Sequence, residues 1–142
     1  MGKKRIVAKG ETESAGAGAQ SRVSKKRLLN SAVLYVESTY NNTRLALADE
    51  KGNVVASSSS GSLGFQGAKK GTPFAAAKVG EAVAEKSQAF GVREVSVVVK
   101  CVGSGRESSI RGFVNKGFTL VGIRDATPVP HNGPRPPKRR RV

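Results

Sequence analysis

Five cationic side chains crowd the segment His131-Asn-Gly-Pro-Arg-Pro-Pro-Lys-Arg-Arg-Arg-Val142, together with three prolines and no acid. Guanidinium groups match the geometry of phosphate oxygens, and prolines hold a chain extended. Such a segment has no apolar face to bury and will not fold alone. Its chemistry is that of an arm laid along a polyanion. A second concentration of the same chemistry lies in Gly61–Gly71, which carries four glycines with Lys69 and Lys70, has no acid, and runs into a helix start. Free N–H groups at a helix N-terminus attract phosphate. Two readings stand for this loop. It contacts a nucleic-acid backbone through Lys69, Lys70 and nearby amides, with Phe65 stacking beside them, or it is a connector with Phe65 tucked into the core. It is not a Walker loop, because Gly71 follows Lys70 where a Mg²⁺-holding hydroxyl is needed. Gly103-Ser-Gly-Arg106 repeats the logic on a smaller scale: Arg106 and Arg111 face a phosphate together, or the glycines only shape a tight turn. Asn41-Asn42-Thr43 reads, by itself, as a turn.

Bond-breaking chemistry is poorly supplied. Cys101 is the only cysteine and His131 the only histidine, which removes a disulfide framework, cysteine metal sites and most zinc or triad arrangements. Residues 30–130 contain eight acids: Glu37, Asp49, Glu50, Glu81, Glu85, Glu94, Glu107 and Asp125. A metal-dependent nuclease needs several carboxylates converging on divalent ions. Glu37 and Asp125 are the pair that strand order could bring together, and two are too few. No catalytic residue, metal or cofactor is expected.

Charge is placed unevenly. Lys+Arg is 25 against Asp+Glu 10, net +15; residues 1–29 hold eight bases and two acids, and residues 131–142 add five bases. Eleven of the fifteen net charges therefore sit in two ends, and an ordinary domain lies between basic arms. Self-repulsion of that size favours a chain neutralised by a partner. Nucleic acid leads; an anionic membrane is weaker, because no basic stretch has an apolar helical face. No apolar run approaches the roughly 18 residues of a membrane span. Lys3-Lys4-Arg5 has no apolar stretch behind it, which argues against a secretory signal. Pro137-Lys-Arg-Arg-Arg-Val142 also fits a nuclear-localisation pattern.

The elements that must position these groups form one domain. Residues 1–29 are rich in Gly, Ala, Ser and Lys and read as a flexible arm, with a second basic cluster at Lys25-Lys26-Arg27. A strand is expected within 31–39, a turn at Asn41-Asn42, a second strand at Arg44–Ala48, and a hairpin over 49–53 with Gly52 in the left-handed position. A third strand begins at Val54 and fades into Ser57–Ser60. Thr72 caps a helix, Pro73 takes its first position, and Gly91 ends it. Glu94–Lys100 reads as a central strand buried on both faces. A short helix from Arg106 to Lys116, closed by Gly117, and a strand at Phe118–Ile123 complete a β-β-β-α-β-α-β order. A meander followed by two helical crossovers gives a single-domain α/β fold with a mixed five-stranded sheet, folded over residues 30–130. That order resembles the ribonuclease-H-like architecture.

Taken together, three segments resemble the eleventh protein of the small ribosomal subunit, in its bacterial form. They are Tyr40-Asn-Asn-Thr43; Gly64-Phe-Gln-Gly-Ala-Lys-Lys-Gly-Thr-Pro-Phe-Ala-Ala77; and Gly105–Arg111 with Asp125-Ala-Thr-Pro-Val-Pro-His-Asn-Gly133 and the tail after it. The resemblance covers roughly residues 30–142. It implies a structural ribosomal protein of the platform that bridges several RNA helices and helps shape the cleft for Shine–Dalgarno pairing. Its implied partners are small-subunit rRNA, the seventh and eighteenth small-subunit proteins and initiation factor three, with no membrane. The implied location is the cytoplasmic ribosome, with an organelle ribosome left open. The implied RNA-facing residues are Asn41, Asn42, Thr43, Phe65, Lys69, Lys70, Arg106, Arg111, His131, Asn132, Arg135, Lys138, Arg139, Arg140 and Arg141, joined by Lys3, Lys4, Arg5, Lys25, Lys26 and Arg27 of the arm. Three departures stand out. Gln66 replaces a usual Arg or Lys, Cys101-Val102-Gly103 replaces Gly-Pro-Gly, and Pro134 replaces the Cys after Asn132-Gly133. In the family this Asn-Gly rearranges to isoaspartate, which makes Asn132 a candidate; Gly133 keeps the attacking amide, while Pro134 restricts it. The alternatives are a non-ribosomal nucleic-acid binder and a ribonuclease-H-like nuclease.

Overall fold

The computed structural model of the chain describes residues 28–138. Its elements are β1 (Ser31–Ser38), β2 (Thr43–Ala48), β3 (Val54–Ser59), a 3₁₀ turn (Gly67–Gly71), α1 (Pro73–Gln88), β4 (Glu94–Lys100), α2 (Arg106–Val114) and β5 (Thr119–Asp125). The five strands form one sheet in the order β3-β2-β1-β4-β5. β1–β2 and β2–β3 pair antiparallel; β1–β4 and β4–β5 pair parallel. The expected mixed sheet and element order are present.

Alternation in β1 sets the inner face. Ala32, Leu34 and Val36 are buried, while Val33 is half-buried and Tyr35 and Glu37 are exposed. Leu34 lies opposite Leu47 of β2 and Val97 of β4, and Val36 opposite Leu45 and Val99, so one apolar layer crosses the sheet. Val79, Val83 and Ala84 of α1 and Phe113 of α2 close over it, with the Phe113 and Phe118 rings stacked at 4.4 Å. The two helices touch through glycines: a Cβ on Gly112 would stand 2.5 Å from the Ala77 carbonyl oxygen, and one on Gly80 would be 2.9 Å from the Phe113 nitrogen. Thr72 caps α1 by accepting from the Ala75 N–H at 3.3 Å, and Pro73 stands at the first turn. Gly52 (φ +89°) and Gly91 (φ +71°) take the left-handed positions expected of them.

Three expectations are corrected. β4 is not buried on both faces; Val95, Val97 and Val99 face the core while Glu94, Ser96 and Lys100 are exposed. The reason is handedness. β3, β4 and β5 run in one direction, and both crossovers step the same way across the sheet, so right-handed connections put both helices on one side. The serine run does not fade; β3 continues to Ser59, paired to Arg44, with Ser58 turned inward. A buried serine is tolerated where its polar atoms are paired, and Ser60 is paired: its Oγ accepts from the Thr43 N–H at 3.2 Å. The Gly61–Gly71 loop contains the 3₁₀ turn, and the last strand runs on to Asp125.

Candidate nucleic-acid interface

The parallel strands β1, β4 and β5 end on the same side of the sheet, where β2 begins, β3 ends and both helices start. Segments remote in sequence are stitched together there. The Gly103 N–H donates to the Ser38 carbonyl at 2.6 Å, and Ser104 Oγ donates to the Gly71 carbonyl at 2.8 Å. Gly71 lies against the Tyr40 carbonyl so closely that a Cβ would overlap it. Gly105 sits under Thr43, where a Cβ would be 2.5 Å from the hydroxyl oxygen. The Ala126 N–H donates to the Val99 carbonyl at 2.9 Å, which starts the tail from the same end. The Asn41–Thr43 turn, the glycine–lysine loop, the Gly103–Arg106 turn and the root of the tail thus form one surface.

The individual groups divide by role. Asn41, Lys69, His131, Asn132, Arg135 and Lys138 are exposed, and Lys70 is half-buried. Thr43 is fully buried, with its hydroxyl 3.4 Å from Ser38 Oγ. Its side chain braces the turn and does not face outward, contrary to the expectation from the resemblance. Asn42 is also turned to internal work. Its Oδ1 accepts from Ser60 Oγ, and its carbonyl accepts from the Thr39 N–H at 2.9 Å. Phe65 is neither fully core nor free; its ring meets Phe74 edge-on at 6.2 Å.

Arg106 and Arg111 do not converge on one phosphate. Five positions apart on a helix they point about 140° from each other, and each is paired to a carboxylate, Arg106 to Asp125 and Arg111 to Glu107. Arg106 therefore ties the root of the tail to α2. Asp125 also accepts from the Thr127 hydroxyl at 2.6 Å and the Thr127 N–H at 2.9 Å. The Thr127 hydroxyl and then the Arg106 guanidinium hold the Asp125 carboxyl down to about 2. Glu37 and Asp125, the acid pair of the nuclease reading, stand on opposite faces. Glu37 alternates with buried Val36, whereas Asp125 is in register with the inward-facing Val99.

Two backbone positions bear on the departures noted in the sequence. Cys101 has φ +67°, a left-handed conformation, where the resembled family has glycine. Asn132 has φ +55° and bends the tail; a Cβ on Gly133 would be 2.9 Å from Pro130 Cβ. Lys3, Lys4, Arg5, Lys25, Lys26, Arg27, Arg139, Arg140 and Arg141 lie outside the described residues.

The site-residue expectations omit two exposed aromatics on this surface, Tyr40 (82% exposed) and Phe74 (66%). Phe74 had a signal in the sequence: it falls off the Ala75, Ala76, Val79, Val83 stripe that α1 buries. Among the described residues no helix is long and apolar enough to cross a membrane.

Residues 32–141 match a family model, Ribosomal protein S11. The match runs from β1 through both crossovers and into the tail, and so takes in every segment of the surface just described. With residues 32–141 of the 142 matched, this protein belongs to the ribosomal protein S11 family, whose members are rRNA-binding proteins of the small ribosomal subunit.

Proposed function

We propose that this chain is the bacterial-type member of its family and acts as a structural piece of the small-subunit platform, where it bridges rRNA helices and helps form the Shine–Dalgarno cleft. The observation that carries this reading is the convergence of the glycine–lysine loop, the starts of both helices and the root of the basic tail at one end of the sheet. Amides and lysines brought to one surface meet phosphates, which positions RNA without reading its sequence. Exposed Tyr40 and Phe74 add faces on which unpaired bases can stack. The folded part, about residues 30–130, supplies the rigid surface, and the two basic ends neutralise RNA strands that would otherwise repel. The β3-β2-β1-β4-β5 order supports the ribonuclease-H-like label for the architecture, used here for shape and not for cleavage.

The partners in this reading are small-subunit rRNA, the seventh and eighteenth small-subunit proteins and initiation factor three, and the location is the cytoplasmic ribosome. Asn132 is a candidate isoaspartate site. A tail peptide without isoaspartate after isolation from intact ribosomes removes that part. The reading as a whole is tested by cross-linking the tagged chain in cells and sequencing the attached RNA. Reads concentrated in the central and 3′ parts of small-subunit rRNA support it. Scattered reads, or DNA, overturn it and leave a non-ribosomal nucleic-acid binder.

A further inference from the structure

The site described above takes up the end of the sheet, and one edge of the sheet carries a second feature it does not use. A groove of about 460 Å³ runs along β3, lined by Asn42, Arg44, Ser57, Ser59, Ser62 and Lys86. No acid lines it. Arg44 and Lys86 come from different elements, β2 and α1, and neither makes an ion pair among the described residues. Glu37 of β1 lies in register with Arg44 on one side and Lys100 on the other, and among the described residues it forms an ion pair with neither.

β3 is an edge strand, so the groove offers backbone groups as well as side chains. The edge is only partly blunted. Lys86 Nζ reaches over it to donate to the Ser57 carbonyl at 3.1 Å, and Ser62 Oγ accepts from the Ser59 N–H at 2.9 Å. The side chain of Ser57 itself is exposed. The lining is therefore cations, an amide and hydroxyls over a polar edge, with no apolar residue among them. That is the chemistry of phosphate and ribose contact, and it is the wrong lining for an apolar peptide.

We propose that this groove is a second RNA-backbone site, in which Arg44 and Lys86 each take a phosphate and the serine hydroxyls take phosphate or ribose oxygens. The proposal rests on the rRNA-binding reading and adds to it a separate place of contact. The groove lies at the β3 edge, while the tail leaves from β5 at the opposite edge, four strand spacings away, or about 19 Å at ~4.8 Å per spacing. One small domain then holds two RNA segments apart at a fixed distance, and Asn42 lies where the groove joins the end surface.

The test is the salt dependence of binding between the full chain and a small-subunit rRNA fragment recovered by cross-linking. Arg44→Gln with Lys86→Gln removes two phosphate contacts. The slope of log affinity against log salt is expected to fall by roughly 1.4–1.8 from the wild-type value, at about 0.7–0.9 per phosphate. Ser57→Asp places a carboxylate in the groove without touching the core and is expected to weaken binding about tenfold at low salt, an effect that fades as salt screens it. Wild-type slope and affinity in both variants overturn the groove while leaving the rRNA reading intact. A wild-type chain with no salt-dependent affinity for the fragment overturns the rRNA reading itself. Cross-links from the Ser57–Ser62 peptide to a protein, with none to RNA in assembled subunits, also overturn the groove and assign the edge to a protein neighbour.

Discussion

At the scale of single residues, Asp125 is the hinge of the design. It closes β5, accepts from Thr127 and pairs with Arg106, so one carboxylate fixes where the basic tail departs. Its folded value of about 2 lies below the ordinary 3.8. A lowered carboxyl contributes stability that is complete above the unfolded value, and the contribution is lost as pH falls toward about 2. A carboxyl-carbon NMR titration should therefore place the Asp125 midpoint near 2, and Thr127→Val should raise it, since the hydroxyl is the largest cause. A wild-type midpoint at the ordinary value would show that the anchor does not form. Cys101 makes the opposite point. Left-handed backbone costs a non-glycine residue about 1–2 kcal/mol, and glycine returns part of that through its greater freedom in the unfolded chain. Cys101→Gly is expected to raise stability by about 0.5–1 kcal/mol in denaturant melts. A loss of stability would mean that the half-buried thiol packs better than its backbone strain costs.

At the scale of elements, the contact between α1 and α2 decides where the glycine-rich loops before them sit. Each helix begins at the end of the sheet where those loops converge, and the two are seated by Gly80 and Gly112, which bring backbone against backbone. Alanine favours helix over glycine by about 1 kcal/mol, but overpacking a close contact costs about 1–3. Because the new Cβ would meet backbone at 2.5 Å, the cost falls at the upper end, and Gly112→Ala is expected to destabilise the domain by about 2 kcal/mol and to weaken RNA binding without removing any cation. Gly122→Ala is the comparison, because a Cβ there meets nothing within 4 Å; it should stay within about 0.5 kcal/mol of wild type. Equal melting curves for the two variants would show that the helix contact has slack. Thr72 makes the same argument at the helix start, where its hydroxyl both caps α1 and donates to the Lys69 carbonyl at 2.8 Å, fixing the basic turn to the helix it precedes.

At the scale of the whole molecule, the sheet is a partition. Helices and core occupy one face, cations and hydroxyls occupy the end and the β3 edge, and the tail leaves from the other edge. Net charge of +15 on 142 residues makes affinity for RNA strongly salt-dependent. Removing residues 134–142, which carry five of those charges, should lower the salt slope by about 3.5–4.5 if every cation meets a phosphate. The folded domain should melt as before, since the cut falls outside its strands and helices. A slope unchanged by the truncation would show that the tail does not lie on RNA.

Local physics made much of this legible from residues alone. The β-prone run Ala32–Val36, the Thr72-Pro73 start, the glycines at 52 and 91, and the crowding of charge into the two ends each depend on neighbours close in sequence. Propensity, capping and composition report such things directly. The element order also limited the sheet, because a meander and two crossovers leave few right-handed arrangements. Tertiary structure alone decided the rest. Nothing local to Thr43 says that Gly105 and Ser38 will bury it. Nothing local to Arg106 says that Asp125, nineteen positions on, will claim its guanidinium. The one-sided burial of β4 depends on both helices falling on the same face, and the β3 groove depends on α1 sending Lys86 over a strand edge from 29 residues away. Sequence carries the kind of chemistry a residue can do; which residues share a surface is set by long-range packing, and no short window contains it.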